Sequence, residues 1–88
     1  IMPKKTTLIY LYKQKYIEAE NLIKNLPSFF NSIVMPVTKE RACAFQISSV
    51  PAVLVLDKKG NVRIKREGKE LVIDYLRSQE NKGYEKET

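Results

Sequence analysis

A short apolar run closed by turn-forming residues constrains the fold of this chain more than any other feature. Residues 52–56 read Ala-Val-Leu-Val-Leu, a run too short for most helices and typical of a strand buried on both faces. The turn formers Asp-Lys-Lys-Gly-Asn occupy residues 57–61, and apolar and charged residues alternate over residues 62–66. We therefore expect an antiparallel hairpin whose second strand lies at the edge of a sheet.

The rest of the sequence predicts two more strands and three helices. Apolar residues recur at helical spacing from Tyr16 to Leu26, Thr38 is a suitable cap for a short helix over residues 39–45, and Gly68 precedes a third helical pattern. The third helix is expected to bury Leu71, Val72, Tyr75 and Leu76. The strands are expected at residues 8–12, 32–37, 52–57 and 62–66, which gives the order β-α-β-α-β-β-α.

These four strands are expected to form one sheet. We expect the first strand between the second and the third, and the fourth at the far edge beside the third. Because helices connect the first three strands, we expect these to run parallel, with only the fourth reversed.

The order of elements and the residues before Pro51 resemble the thioredoxin superfamily in its short, thioredoxin/glutaredoxin-type form. The pattern that precedes the proline loop of that family is matched by Ala42, Phe45, Ile47, Val50 and Pro51. The resemblance covers residues 8–79 and implies an α/β fold, a three-layer α/β/α sandwich with a mixed four-stranded sheet. It also implies a cis Val50–Pro51 peptide bond that faces the start of the first helix across a shallow groove.

The redox motif of that family is absent. An alignment without gaps places Tyr16 before the active-site pair and Ile-Glu-Ala-Glu, residues 17–20, on its Cys-x-x-Cys, and residues 1–42 contain no cysteine. Thiol–disulfide exchange needs a thiolate at a helix N-terminus and a second, resolving thiol. The resemblance thus implies a redox-inactive, non-enzymatic module without a cofactor, which binds a protein or extended peptide partner through backbone hydrogen bonds. The residues expected to line its groove are Tyr16, Ile17, Glu18, Ser49, Val50 and Pro51.

Cys43 supports one alternative function. It is the only thiol in the chain, and we expect it to be a small, partly buried residue of the second helix, with Ala42 and Phe45 directed inward. Alternatively, Lys39 and Arg41 favour its thiolate, which would make it a regulatory, dimer-forming or catalytic thiol of an atypical thiol–disulfide oxidoreductase.

The charge of the chain supports a second alternative. Sixteen basic and ten acidic residues give a net charge of +6. The basic residues cluster around the last predicted strand, at Lys58, Lys59, Arg63, Lys65, Arg66 and Lys69. Such a cluster can attract nucleic acid, but we expect it to be a solvated edge strand, because aromatic residues are not interleaved with the charges.

The resemblance and the composition together set the remaining expectations. We expect a thioredoxin-like domain over residues 1–80, a polar, mobile tail over residues 81–88, and Met2 as the natural start. A metal site is not expected, because the chain has no histidine and one cysteine. No apolar run is long enough for a membrane span, so the expected location is the cytoplasm. The expected oligomeric state is a monomer or weak homodimer.

The missing dithiol generates the first prediction. The protein should reduce insulin disulfides, with dithiothreitol as electron source, no faster than a protein-free control. Turnover above that control, lost in Cys43→Ser, would contradict the redox-inactive interpretation and assign the activity to the single thiol.

Overall fold

The fold follows the predicted order of strands and helices. The computed structural model describes residues 6–27 and 29–85. Its elements are β1 (Thr6–Tyr12), α1 (Ile17–Lys24), β2 (Phe30–Pro36), α2 (Lys39–Phe45), β3 (Ala52–Leu56), β4 (Val62–Glu67) and α3 (Lys69–Glu85). Both β1 and β2 begin two residues before their predicted starts at residues 8 and 32. Thr6 and Thr7 extend β1, where they pair with Phe30 and Asn31 of β2.

The sheet has the predicted strand order, β2-β1-β3-β4. β1 lies in its interior, and Leu8, Tyr10 and Leu11 are fully buried. Because successive side chains of a strand point to opposite faces, Leu8 and Tyr10 contribute to one core while Ile9 and Leu11 contribute to the other. Both layers of the sandwich therefore pack on the same strand.

The expected parallel pairing of the third strand is wrong. β1 pairs in parallel with β2, with Tyr12 opposite Pro36, but it pairs antiparallel with β3, with Leu11 opposite Ala52. β2 ends and β3 begins beside the same end of β1. The connection over residues 37–51 therefore stays at one end of the sheet, so β3 must run in the opposite direction. β4 pairs antiparallel with β3 as predicted.

The helices cover both faces of the sheet, which gives the three-layer α/β/α arrangement. α1 and α3 cover one face, where the buried residues are Leu8, Tyr10, Ala19, Ile23, Phe30, Val53, Val55, Val72, Ile73 and Leu76. The other face has a smaller core of Ile9, Leu11 and Leu54, and Phe45 of α2 packs against it. The start of α1 thus lies on the face opposite α2.

The buried face of α3 differs from the prediction at one position. Leu71 is 56% exposed, whereas Ile73 is 7% exposed and packs in the core with Val72 and Leu76. Three successive apolar residues at 71–73 allow two helical faces, and the packed face is the one that continues through Leu76 to the buried Gln79.

The end of α3 also differs from the prediction. The helix runs to Glu85, so residues 81–85, expected to belong to a mobile tail, are helical. Gly83 does not end the helix. Residues 86–88 of the predicted tail lie outside the described residues.

The hydroxyl group of Tyr10 is buried without a hydrogen-bond partner among residues 6–27 and 29–85. Desolvation is the main reason that its pKa is raised to about 12, with a smaller contribution from Glu20. We predict that Tyr10→Phe raises the free energy of unfolding by about 1 kcal/mol, because an unsatisfied buried polar group costs about 1–3 kcal/mol. Urea denaturation measures this change. Tyr12→Phe, at a half-buried ring stacked 6.0 Å from that of Tyr10, is the control and should have little effect. A clear loss of stability in Tyr10→Phe would contradict the assignment.

Candidate functional site

The loop between α2 and β3 carries the cis proline that the resemblance implies. The Val50–Pro51 peptide bond is cis, and Pro51 is buried. The N–H and C=O groups of Val50 have no hydrogen-bond partner among the described residues. This loop therefore presents an unpaired donor and acceptor beside a fixed proline.

The end of β4 holds this loop in place. One carboxylate oxygen of Glu67 accepts hydrogen bonds from the backbone N–H groups of Ser48 and Ser49, at 2.7 and 2.9 Å. The next residue, Gly68, donates its N–H to the carbonyl oxygen of Pro51 at 2.9 Å. Gly68 has φ of +99°, a conformation that glycine adopts without the steric cost met by other residues. The backbone of the loop is thus held by hydrogen bonds on both sides of Val50, from the Glu67 side chain on one side and from the Gly68 backbone on the other.

A small depression lies between this loop and the start of α1. Its volume is about 110 Å³, and it is lined by Lys13, Gln14, Tyr16, Val50 and Pro51. Tyr16 is the residue that precedes α1, in an extended conformation and half-buried. The depression therefore occupies the place of the predicted groove between Tyr16 and the proline loop.

Positive charge lies beside the depression. The ammonium nitrogen of Lys69, the first residue of α3, is 4.9 Å from the centre of the Tyr16 ring. This is a cation–π distance, so the ring orients the lysine. Lys13 lies in the wall itself, and the neighbouring Lys15 is exposed. The rim is thus basic.

The other predicted groove residues lie apart from the depression. Ile17 is 77% exposed and does not line it. Glu18 forms an ion pair with Arg77 of α3 and lines a different, open crevice of about 410 Å³ between α1 and α3. Ser49 contributes its N–H to Glu67 rather than a side chain to the wall. Of the six predicted residues, the structure brings together Tyr16, Val50 and Pro51.

Several residues of the site were not identified from the sequence. Lys13 and Gln14 precede the helix in a segment without a pattern, so nothing marked them. Glu67 carried a usable signal, because it is the only acidic residue in a strand that is otherwise basic and apolar. Its pairing with Ala52, next to Pro51, could not be counted from the turn, because a β-bulge at Val55/Leu56 shifts the register by one residue.

The expectation that Cys43 is partly buried is wrong. Its side chain is exposed, whereas Ala42 and Phe45 are half-buried, as predicted. On the helix, Ala42 and Phe45 lie on the face toward the sheet, whereas Cys43 lies on the face toward solvent. The Arg41 guanidinium donates to the Pro36 carbonyl oxygen at 2.8 Å. Since α2 and α1 cover opposite faces of the sheet, this thiol does not belong to the depression.

The basic residues of β4 contact groups of the chain itself. Arg63 lies 4.0 Å from the Asp57 carboxylate, and Lys65 donates to the Gln46 carbonyl oxygen at 2.9 Å. The Arg66 guanidinium lies 5.9 Å from the centre of the Tyr75 ring. These contacts are those of a solvated edge strand and do not favour the nucleic-acid alternative.

The described part of the chain has neither a membrane-spanning helix nor a group of side chains arranged to bind a metal ion. No helix there has the length and apolar character needed to cross a bilayer. No group of three or more Cys, Asp or Glu residues within residues 6–27 and 29–85 is arranged to hold a metal ion.

Comparison with known proteins shows similarity in structure but not in sequence. No family model and no curated protein matches the chain. A disulphide isomerase from Xylella fastidiosa Temecula1 is similar in structure, with 17% identity, a TM-score of 0.52, and coverage of 85% of this chain and 78% of that chain. A malarial protein has 13% identity, a TM-score of 0.55, and coverage of 85% and 97%. A thioredoxin-like protein, solved in solution in its oxidized form, has 18% identity, a TM-score of 0.54, and coverage of 94% and 80%. The chain has a thioredoxin-like fold.

The hydrogen bonds to Glu67 generate a pH-dependent prediction. The two serine N–H groups lower the pKa of its carboxyl group, so ionised Glu67 stabilises the folded state above the pKa of the unfolded chain. Glu67→Gln keeps an acceptor oxygen but loses the charge. It should lower the free energy of unfolding at pH 7 by about 1 kcal/mol, since charge-assisted bonds are stronger and these are partly exposed.

The difference between wild type and Glu67→Gln should shrink as the pH falls through about 4 and below, where the wild-type carboxylate is protonated. Urea denaturation at a series of pH values measures it. Glu70→Gln, at an exposed glutamate of α3, is the matched control and should have a much smaller effect. A difference that stays constant down to pH 3 would contradict a role for the charge.

Proposed function

We propose that this thioredoxin-like protein is a redox-inactive binding module that holds an extended segment of a protein partner between Tyr16 and the proline loop. The observation that carries the proposal is the unpaired N–H and C=O of Val50, in a residue that lines the depression. An extended segment that lies beside Val50 can satisfy both groups, as an added strand does at a sheet edge. Its side chains would meet the ring of Tyr16.

The anchoring of the loop supports this function. Ordering a mobile loop on binding costs free energy, so a loop that is already fixed binds more tightly. Glu67 and Gly68 fix the backbone on either side of Val50 through groups that do not line the depression. The Val50 backbone is therefore held ready to bind.

The residues at the start of α1 argue against a thiol mechanism at this site. Ile17 and Glu18 stand where the redox motif begins in the family, and Glu18 pairs with Arg77 instead of facing the loop. The sole thiol is on α2, which covers the other face of the sheet. Without a thiol, the function proposed for this site is the binding of an extended segment.

Charge indicates the kind of segment that fits. Lys13 lines the depression, and Lys69 is oriented over Tyr16 at its rim. Glu67 is ionised, but its carboxylate is directed to the N–H groups of Ser48 and Ser49 and does not line the depression. We therefore expect the bound segment to be acidic, with carboxylates that reach the two lysines.

Selection from a displayed library of random peptides tests the proposal. Selected peptides should be enriched in Asp and Glu, and NMR titration with a synthetic copy should move the amide signals of Val50 and Tyr16 most. Lys13→Glu should weaken binding about tenfold, the equivalent of 1.4 kcal/mol, because it opposes a carboxylate across the wall.

Lys58→Glu is the control, since it makes the same charge reversal in the exposed turn between β3 and β4. It should change affinity no more than about twofold, through the net charge alone. Peptides whose signals map away from Tyr16 and Val50, or equal losses in the two variants, would contradict this site. The same measurements in Cys43→Ser should be unchanged.

A further inference from the structure

The two edges of the sheet differ in how they are protected. β4, at one edge, carries Arg63, Lys65, Arg66 and Glu67, and such charges discourage pairing with another strand. β2, at the other edge, reads Phe-Asn-Ser-Ile-Val-Met-Pro and carries no charge. Its Ile33 and Val34 are 39% and 47% exposed. An exposed, apolar edge strand is a surface on which another strand can pair.

The ladder between β1 and β2 decides which backbone groups of β2 face outward. Val37 donates its N–H to the carbonyl oxygen of Tyr12, which pairs with Pro36. In a parallel ladder, alternate residues of a strand bond to the same neighbour, so the odd-numbered residues of β2 bond to β1. The N–H and C=O groups of Ser32 and Val34 therefore point away from β1, to the edge where the described residues supply no further strand.

Both ends of this open edge are closed. The N–H of Phe30 donates to the carbonyl oxygen of Pro27 at 3.1 Å. Pro36 has no N–H, and its carbonyl oxygen accepts from the Arg41 guanidinium at 2.8 Å. The part of the edge that stays open is residues 32–34, a short window centred on Ile33. Ser32 and Val34, on either side of Ile33, direct their N–H and C=O groups outward.

We propose that this window is the interface of a homodimer, in which two β2 strands pair antiparallel about a two-fold axis at Ile33. Ser32 of each copy then lies opposite Val34 of the other, and each such pair exchanges two hydrogen bonds. The two Ile33 side chains meet on the axis, on the same face of the sheet. The two four-stranded sheets become one continuous sheet.

The edge is complementary to itself, which identifies a second copy as its occupant. In this register Phe30 lies opposite Pro36 of the other copy, and these are the residues that close the window in each chain. The Arg41 guanidinium at Pro36 has further N–H donors, and it would lie beside the Phe30 carbonyl oxygen of the other copy, a favourable pairing of charge and acceptor.

Net charge also favours this edge over the rest of the surface. Two chains that each carry +6 repel one another, and an uncharged strand lets them approach without opposing like side chains. The interface is small, so the dimer is weak. Salt screens the repulsion between the two positively charged chains. Association should therefore strengthen as salt is added.

Sedimentation equilibrium from about 10 µM to about 1 mM protein spans the range of a weak interface. The wild type should shift toward the mass of two chains. Ile33→Lys should weaken association at least tenfold, because it places two ammonium groups opposite one another on the axis. Val62→Lys adds the same charge at an exposed apolar residue of the other edge, 48% exposed, and should behave as the wild type.

Mixing of charge variants tests the register. Ile33→Glu alone should also be monomeric, whereas an equimolar mixture of Ile33→Lys and Ile33→Glu should form a heterodimer, because opposite charges then face each other. Circular dichroism confirms that each variant is folded. Failure of the mixture to associate, while both variants are folded, would overturn pairing about Ile33.

Amide hydrogen exchange tests the same interface in the unaltered protein. The amides of Ser32 and Val34 should become protected as concentration rises, while that of Ile33, bonded to β1, should be protected at every concentration. The homodimer would be overturned if the chain stays monomeric at every protein concentration. It would also be overturned if the β2 edge binds the acidic peptides selected from the library but no second copy of the chain.

Discussion

Burial of β1 on both of its faces is the constraint on which the rest of the structure depends. Leu8 and Tyr10 pack under α1 and α3, while Ile9 and Leu11 pack under α2. β1 also supplies the backbone partners of both β2 and β3. A slip of one residue in its register would exchange the two faces, so one strand sets the positions of both helical layers.

The conformation of the proline loop depends on hydrogen bonds to the end of β4. The Glu67 carboxylate accepts from the backbone N–H groups of Ser48 and Ser49, and Gly68, which follows β4, donates its N–H to the Pro51 carbonyl oxygen. None of these bonds involves a residue of α1, so substitutions at Ile17 or Glu18 should leave the loop conformation unchanged.

The parts of the fold that depend on local sequence patterns were predictable. The parts that depend on how segments far apart in the sequence are arranged in space were not. The β3–β4 hairpin follows from a run and a turn within 52–66, and the start of α1 at Ile17 follows from spacing. The direction of β3 depends on the end of the sheet to which the connection over residues 37–51 returns. No residue in that connection specifies this end. Within the site, Tyr16, Val50 and Pro51 came from motif position. The outward position of Ile17 and the role of Glu67 depend on helix rotation and loop shape.

The two layers of the sandwich are unequal in size: among the described side chains, one core has ten buried residues and the other has three, Ile9, Leu11 and Leu54. Local unfolding follows such differences, so α2 is expected to open more often than α1 or α3 while the sheet stays intact. The proline loop begins where α2 ends, but its bonds run to β4. Because Ser48, Ser49 and Pro51 bond to Glu67 and Gly68, we expect opening of α2 to expose Ile9, Leu11 and Leu54 while these anchors of the loop stay in place.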